Sequence, residues 1–460
     1  MWLCNPRHYK PHSKSYVAFY IYKLIRGVKM KKNKDILIIG FALFSMFFGA
    51  GNLIFPPFIG VTSGNDWLVS FLGFIIADVG IILLSINAVA RAGSFQNVVE
   101  KAGKKFGLYL EIIMMLCLGP ILVIPRTAAT TFEMSIMPIT SSLNSAIFSI
   151  LFFGLTLILT IRPTKVMDII GKFLTPVLLL ALILLIGKGI LSPIGELSNN
   201  NNEGLFVNGI TQGYQTMDAL GIGGVTALII TSFVNKGYKD KKENISMTLK
   251  SALIAGIGLI LVYGGLAYLG ATVSTIYDAS ISQTELLVNI TNHLLGKNGI
   301  LLLGIIVAFA CLTTAIGLTS VTAKYFEDVS NKKLKYSHIV TFICVFSAIA
   351  SNLGVDRIIA IAGPILTVIY PVSILLVVMS TFSKYFIKPA VFKGAAYATL
   401  LISLLNVADS LGFTIEFIHH LPLNSLGFNW VIPAIIGGLL GKLLVKENNM
   451  NEKSQDKLSA

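Results

Sequence analysis

Twelve stretches of this 460-residue chain run for about 20 residues with little or no charge, the length an α-helix needs to cross the hydrocarbon core of a bilayer. They lie at 36–60, 67–90, 108–137, 144–161, 172–191, 207–234, 250–275, 298–323, 337–354, 358–382, 392–409 and 427–445. Nothing else in the sequence restricts the fold as much. Inside a membrane only helices and closed barrels pair every backbone polar group, and apolar runs of this length read as helices. The composition agrees, with 54% hydrophobic and 13% charged residues, about half the charge of an average soluble chain. The expected fold class is an all-α integral membrane protein with 12 transmembrane helices.

A net charge of +14 invites a nucleic-acid partner, but its distribution argues for topology instead. With a cytoplasmic N-terminus, the inner segments hold 32 of the 36 Lys and Arg residues. The outer loops hold only Lys188, Lys297 and Arg357, and Arg126 lies within a span. This alternation is the positive-inside bias. It places both termini in the cytoplasm and assigns the excess charge to membrane topology, and the run from Met30, "MKKNKDILIIGFALF", looks like the start of a bacterial inner-membrane protein. Cys117, Cys311 and Cys344 fall in spans and Cys4 in the inner tail, so neither a disulfide framework nor a metal spacing is expected. His419 and His420 adjoin on an outer loop without a third ligand. The basic, aromatic segment 1–29 is too short to span and lacks a signal-peptide pattern. It reads as an upstream extension of a frame that starts at Met30, or as an interfacial segment on anionic lipid.

The first span contains "FFGAGNLIFPP" at 47–57, which a continuous helix would not choose. Gly49, Ala50, Gly51 and Asn52 are followed by Pro56 and Pro57, and a proline inside a helix removes a donor and crowds the preceding turn. The sixth span carries a second glycine cluster, "DALGIGGVT" at 218–226. Small residues can simply let helices approach, but a matched pair of interrupted segments in two halves points to a transporter site. The breaks are five spans apart, so the second copy enters the membrane from the opposite side. Two five-span inverted repeats follow, at 30–191 and 207–382. An outer loop at 192–206 joins them, spans 11 and 12 occupy 383–446, and 447–460 is a polar tail.

Free backbone groups at such breaks carry chemistry. A half-helix N-terminus offers N–H groups and partial positive charge to a carboxylate. A half-helix C-terminus and unwound carbonyls suit a cation or an ammonium. In span 8, Ala310, Thr313, Thr314 and Gly317 share one face. Two hydroxyls with nearby carbonyls would make an all-oxygen site for Na⁺, although threonines in a helix also bond their own turn. Asp218 precedes the second break and could meet a cation, a proton or a substrate amine, cap the following half-helix, or pair with Arg126. Arg126 shares a face with Glu133 and is either a structural ion-pair member or a lining of the path. Asp78 reads as a relay carboxylate or a hydrogen-bonded helix contact. No paired acid and base, nucleophile or filter motif lies in the spans, so neither an enzyme nor a channel is expected.

"FALFSMFFGAGNLIFPPFIG" (41–60), "GPILVIPRTAATTFE" (119–133), "GYQTMDALG" (213–221) and "FACLTTAIGLTS" (309–320) resemble the bacterial branched-chain amino acid:cation symporters, the BrnQ-type carriers of the amino acid–polyamine–organocation superfamily. The resemblance runs from Met30 to about residue 445. It implies a LeuT-like 5+5 inverted repeat with discontinuous helices 1 and 6 plus two additional helices, and uptake of leucine, isoleucine and valine with Na⁺ or, in some members, H⁺. It implies substrate binding at Gly49, Ala50, Gly51 and Asn52, and at Asp218 and Gly221 across the second break. It implies a sodium site from Ser45, Phe48, Ala310, Thr313 and Thr314. Met217 stands where some relatives place a threonine ligand for a second sodium ion. Phe47, Phe48, Tyr214 and Ile222 flank the breaks and are candidates for an apolar side-chain pocket. No cofactor beyond a coupling ion is expected, and the partners are the amino acid, Na⁺ or H⁺ and membrane lipid, with no nucleic acid. The oligomeric state is not expressed in the sequence.

Overall fold

The computed structural model describes residues 31–140, 142–161, 166–199, 203–383, 386 and 388–444, without the side chains of 166–177 and 444. The N-terminal segment 1–29 and the tail 447–460 lie outside the described residues. In chain order the helices are α1 (31–47), α2 (Ala50–Ser63), α3 (Trp67–Ile75), α4 (Ile81–Ala92), α5 (Phe95–Val99), α6 (Lys104–Leu116), α7 (Val123–Thr131), α8 (Ser145–Ile161), α9 (Val166–Leu191), α10 (Leu205–Gln215), α11 (Ile222–Asn235), α12 (Lys241–Ala271), α13 (Gln283–Val329), α14 (Tyr336–Ala350), α15 (Val355–Thr381), α16 (Pro389–Ser410), α17 (Glu416–His419) and α18 (Val431–Leu444). Among the described residues each of the twelve apolar stretches is helical over most of its length. Eight helical segments among the described residues are long and apolar enough to cross a membrane, and Ser145–Ile161, Leu178–Leu191 and Val431–Leu443 are shorter apolar helices.

The short α2 is the axis of the molecule. Twelve of its fourteen residues are buried, leaving only Phe58 and Thr62 partly exposed. A helix hydrophobic all round belongs inside. Other helices instead turn large apolar side chains outward, with Ile158, Leu261 and Ile349 about 70% exposed. Exposed large apolar side chains in such number suit a lipid boundary, not water.

Glycines set the closest helix contacts. A Cβ on Gly60 would lie 1.9 Å from the Ala267 carbonyl oxygen, and one on Gly270 1.9 Å from that of Pro57. α2 and α12 therefore touch backbone to backbone. Gly209 meets the Ser70 carbonyl in the same way, joining α10 to α3, and Gly394 meets that of Gly437, joining α16 to α18. The last pair has its own small apolar cluster at Ile402, Trp430 and Ala434, apart from the main core.

Both helix breaks exist, at positions shifted from those the glycines suggested. The first falls at Phe48 and Gly49, and Ala50 already begins α2. Pro56 and Pro57 lie within α2, so they are not the interruption. The second falls between Gln215 and Ile222, where Met217 adopts the left-handed conformation (φ 64°, ψ 11°) ahead of a 3₁₀ turn at Asp218–Gly221. Gly223 and Gly224 are helical and serve packing: a Cβ there would meet Phe95 at 2.8 Å and Val321 at 3.0 Å. α13 begins at Gln283 and is kinked at Gly296 (φ 63°).

The α2–α12 contact leaves no room for a methyl group. Gly270→Ala is expected to lower the thermal unfolding midpoint of the purified protein, with the roughly 1–3 kcal/mol cost of overpacking. Gly187→Ala, where nothing lies within 4 Å, should not lower it.

Candidate functional site

The two breaks are joined by side chains. Asn52, 1% exposed, accepts the Gly49 N–H with Oδ1 at 3.1 Å and so closes the start of α2. Its amide nitrogen donates to Asp218 at 2.7 Å and to the Tyr263 hydroxyl of α12. The N–H groups of Ala50, Gly51 and Asn52 are the first of their helix and have no intrahelical acceptor. Tyr263 is fully buried, edge-on to Phe74 at 5.4 Å and stacked on Phe48 at 6.2 Å, which fixes the hydroxyl beside Asn52.

Arg126 answers the other half of the site. It is 2% exposed and donates to the Gln215 carbonyl at 2.6 Å and the Thr216 carbonyl at 3.3 Å. These oxygens close α10, where the backbone dipole is negative. The half-helix C-terminus that the sequence left for a cation is thus occupied by the protein's own guanidinium. The same group lies 5.4 Å from the Phe55 ring centroid and would be 2.7 Å from a Cβ on Gly51. Glycine at 51 makes room for it. Arg126 does not pair with Glu133. Glu133 accepts from Thr284 at 2.7 Å and from the Val355 N–H at 2.9 Å, tying α13 to the start of α15.

Asp78 reaches the second break from a π-helical turn at Ile76–Gly80, a local widening that is frequent at functional sites. It is 1% exposed and lies 2.9 Å from the Thr216 hydroxyl, which is also 2.7 Å from the Gly213 carbonyl. One hydroxyl hydrogen serves two acceptors there. Span 3 is itself interrupted: Gly119 has non-helical torsions within the π turn Cys117–Ile121, and a Cβ on it would be 2.7 Å from Thr322. This break was not expected from the sequence, although Gly119 and Pro120 open the motif "GPILVIPRTAATTFE".

A cavity of about 50 Å³ lies among these elements. It is lined by Gly49, Ala50, Gly51, Asn52, Asp218 and Gly221, all expected, and by Phe47, Arg126 and Thr314. Its apolar wall was not foreseen: Leu118 and Val123 flank the span-3 interruption, and Val225 and Leu318 complete it. Phe48, Tyr214 and Ile222 do not line it. Phe48 packs between Phe44 and Tyr263, Tyr214 stacks on Tyr370 at 4.4 Å, and Ile222 is fully buried. The volume falls far below the roughly 300 Å³ at which small-ligand pockets begin, so a branched aliphatic side chain enters only if the wall gives way.

The expected ion ligands are only partly gathered. Thr314 faces the first break, its hydroxyl 3.7 Å from where a Cβ on Gly49 would sit. Thr313 turns onto its own helix and donates to Ala310 at 2.8 Å and Phe309 at 3.1 Å. That draws on the Ala310 carbonyl, a proposed ligand. Phe48 and Ser45 lie at and just before the end of α1. Among the described residues, no group of three or more His, Cys, Asp or Glu converges.

An all-helical membrane protein with interrupted helices around a central hollow belongs to a class with solved examples, and the fold matches them. The chain superposes on Mhp1, a nucleobase-cation-symport-1 family transporter, in a closed conformation with bromovinylhydantoin bound (TM-score 0.59, 12% identity, 89% of this chain and 92% of that one). It also matches a Na⁺-coupled sialic acid symporter in a substrate-bound outward-open state (TM-score 0.52, 15% identity, 89% of each chain). The sequence is more specific: residues 32–448 match the family model of branched-chain amino acid transport proteins. The chain belongs to that family, one of transport proteins and not enzymes. It is 35% identical over 425 residues to the branched-chain amino acid permease BraB of Bacillus subtilis (strain 168), covering 89% of this chain and 95% of that protein.

Arg126→Met would strand the two carbonyls at the end of α10. Each unpaired buried acceptor costs about 1–3 kcal/mol, so a marked fall in the thermal unfolding midpoint is expected. Arg126→Lys should recover only part of it, because an ammonium lacks the planar fork that spans both oxygens. Equal stability of all three proteins would remove the guanidinium from this role.

Proposed function

We propose that this protein imports leucine, isoleucine and valine by symport with Na⁺. One observation carries the reading: the unpaired N–H groups at the start of α2 and the Asp218 carboxylate border one hollow. A zwitterion matches that pattern. Its carboxylate takes the N–H groups of Ala50, Gly51 and Asn52, and its ammonium takes Asp218. Its side chain lies against Leu118, Val123, Val225 and Leu318. One methylene changes binding in an apolar pocket by only about 1–3 kcal/mol, so all three substrates are accepted. The permease name of the Bacillus subtilis relative points to the same cargo.

Sodium binds between α1 and α13, on the Thr313 and Thr314 hydroxyls with carbonyls of Ala310, Ser45 and Phe48. For this, Thr313 rotates away from its own helix. The ion holds the end of α1 against α13, which orients the N–H groups of α2 toward substrate. The Na⁺-coupled symporter among the fold's neighbours supports this choice of ion. The architecture is then a LeuT-like 5+5 inverted repeat of residues 30–191 and 207–382, with 192–206 between them. Spans 11 and 12 at 383–446 bring the crossings to twelve. Both termini are cytoplasmic, in a bacterial inner membrane.

The test is uptake of labelled leucine into proteoliposomes. An inward Na⁺ gradient should drive accumulation that unlabelled isoleucine and valine suppress, while an unrelated cationic amino acid does not. Thr314→Ala should raise the Na⁺ concentration for half-maximal uptake at least tenfold, and unchanged sodium dependence would reject the α1–α13 site. If a proton gradient alone drives the same accumulation, the coupling ion is H⁺. Asp78, buried, and Asp218, partly buried, are the carboxylates beside the second break and are then the groups to receive it.

A further inference from the structure

We propose that a hollow of about 480 Å³ between α6, α15 and α16 is a binding site for one anionic phospholipid, separate from the central cavity. Its walls are aliphatic: Leu110 and Ile113 of α6, Val368 and Val372 of α15, and Leu400 of α16. Phe106 and Tyr397 meet edge-on at 5.1 Å and form its aromatic side. The lip faces outward, with Tyr109 63% exposed, Ile113 45% and Tyr397 54%. An aromatic ring with one apolar body and one polar tip sits well at the level of lipid headgroups.

Charge gathers at one end only. Lys105 lines the mouth, Lys104 precedes it, and both are exposed. Lys393 of α16 joins them, its Cε 3.2 Å from where a Cβ on Gly103 would lie, and it too is exposed. Lys101, by contrast, is held by Ser380 at 2.8 Å and lies over the Phe392 ring. The acid of the same turn, Glu100, accepts from Gln96 at 2.7 Å. Three lysines therefore remain to meet an anion.

The dimensions fit one leaflet. From Lys105 to Ile113 the hollow follows α6 for eight residues, about 12 Å at 1.5 Å per residue. Half of the roughly 30 Å hydrocarbon core is about 15 Å. A phosphate on Lys104, Lys105 and Lys393 thus places an acyl chain down the groove without leaving the leaflet. Apart from Lys105 and the two tyrosines the lining is apolar, so a zwitterionic amino acid finds no donors for its carboxylate deeper in. An amphiphile with an anionic head satisfies both ends, and basic pockets between membrane helices bind such headgroups.

Native mass spectrometry of the purified full chain, loaded with phosphatidylglycerol or phosphatidylcholine, tests this. One phosphatidylglycerol should stay bound at collision energies that strip phosphatidylcholine. Lys104→Gln, Lys105→Gln and Lys393→Gln together should weaken its binding roughly 100-fold, from about one kcal/mol per lysine. Arginine at the same three positions should preserve it. Lys239→Gln, Lys241→Gln and Lys242→Gln, in an exposed basic cluster elsewhere, should also leave it unchanged. Val368→Trp, which fills the groove and keeps the charges, should release the lipid. Equal retention of both lipids, binding by the groove triple variant as tight as wild type, or equal loss in the distant triple variant would each overturn the site.

Discussion

A break in a membrane helix survives only if the backbone groups it frees find partners or line a cavity, since hydrocarbon supplies none. The rest of this structure depends on how that demand is met. Asn52 closes the start of α2 and reaches across to Asp218, so the two interruptions hold each other. Arg126 covers the opposite end of the second break by taking the last carbonyls of α10. A buried guanidinium is costly on its own. Here it is offset by charge-assisted hydrogen bonds, the negative end of a helix and an aromatic face.

This arrangement explains why the cavity has the polarity it does. With the α10 carbonyls already covered, the N–H groups of α2, the Asp218 carboxylate and the Arg126 guanidinium set the field of the hollow. Part of the apolar wall comes from a different element, the kinked stretch around Gly119 in span 3, which contributes Leu118 and Val123. Glycine contacts bring the walls close. α2 and α12 touch at Gly60 and Gly270, which puts Tyr263 within reach of Asn52. Packing and polar chemistry are thus coupled, since a wider α2–α12 spacing would take the tyrosine hydroxyl away from the break.

Much of this was legible in the residues. Twelve apolar stretches gave the helices, because length and lack of charge are local properties. The glycine clusters located both breaks to within a few positions. They misplaced the second because Gly223 and Gly224 are needed for contact with Phe95 and Val321, and a sequence does not distinguish a glycine for packing from one for unwinding. The true turn is made by Met217, a residue with no preference for positive φ. Arg126 and Glu133 lie on one helical face, yet their partners come from α10, α13 and α15, and spacing along one helix carries no information about neighbours in other helices.

The sequence alone determined the class of molecule, the helices, the interruption of the first and sixth spans, and the presence of hydroxyls and carboxylates near them. These follow from hydrophobicity, backbone propensity and periodicity, which act over a few turns of chain. Only the tertiary structure decided which groups satisfy which. It gave the α10 carbonyls to Arg126, Asp218 to Asn52, and the apolar wall of the cavity to Leu118, Val123, Val225 and Leu318 instead of Phe48, Tyr214 and Ile222. The physical reason is that a buried polar group takes whichever partner packing brings within about 3 Å, and packing is a property of the whole chain.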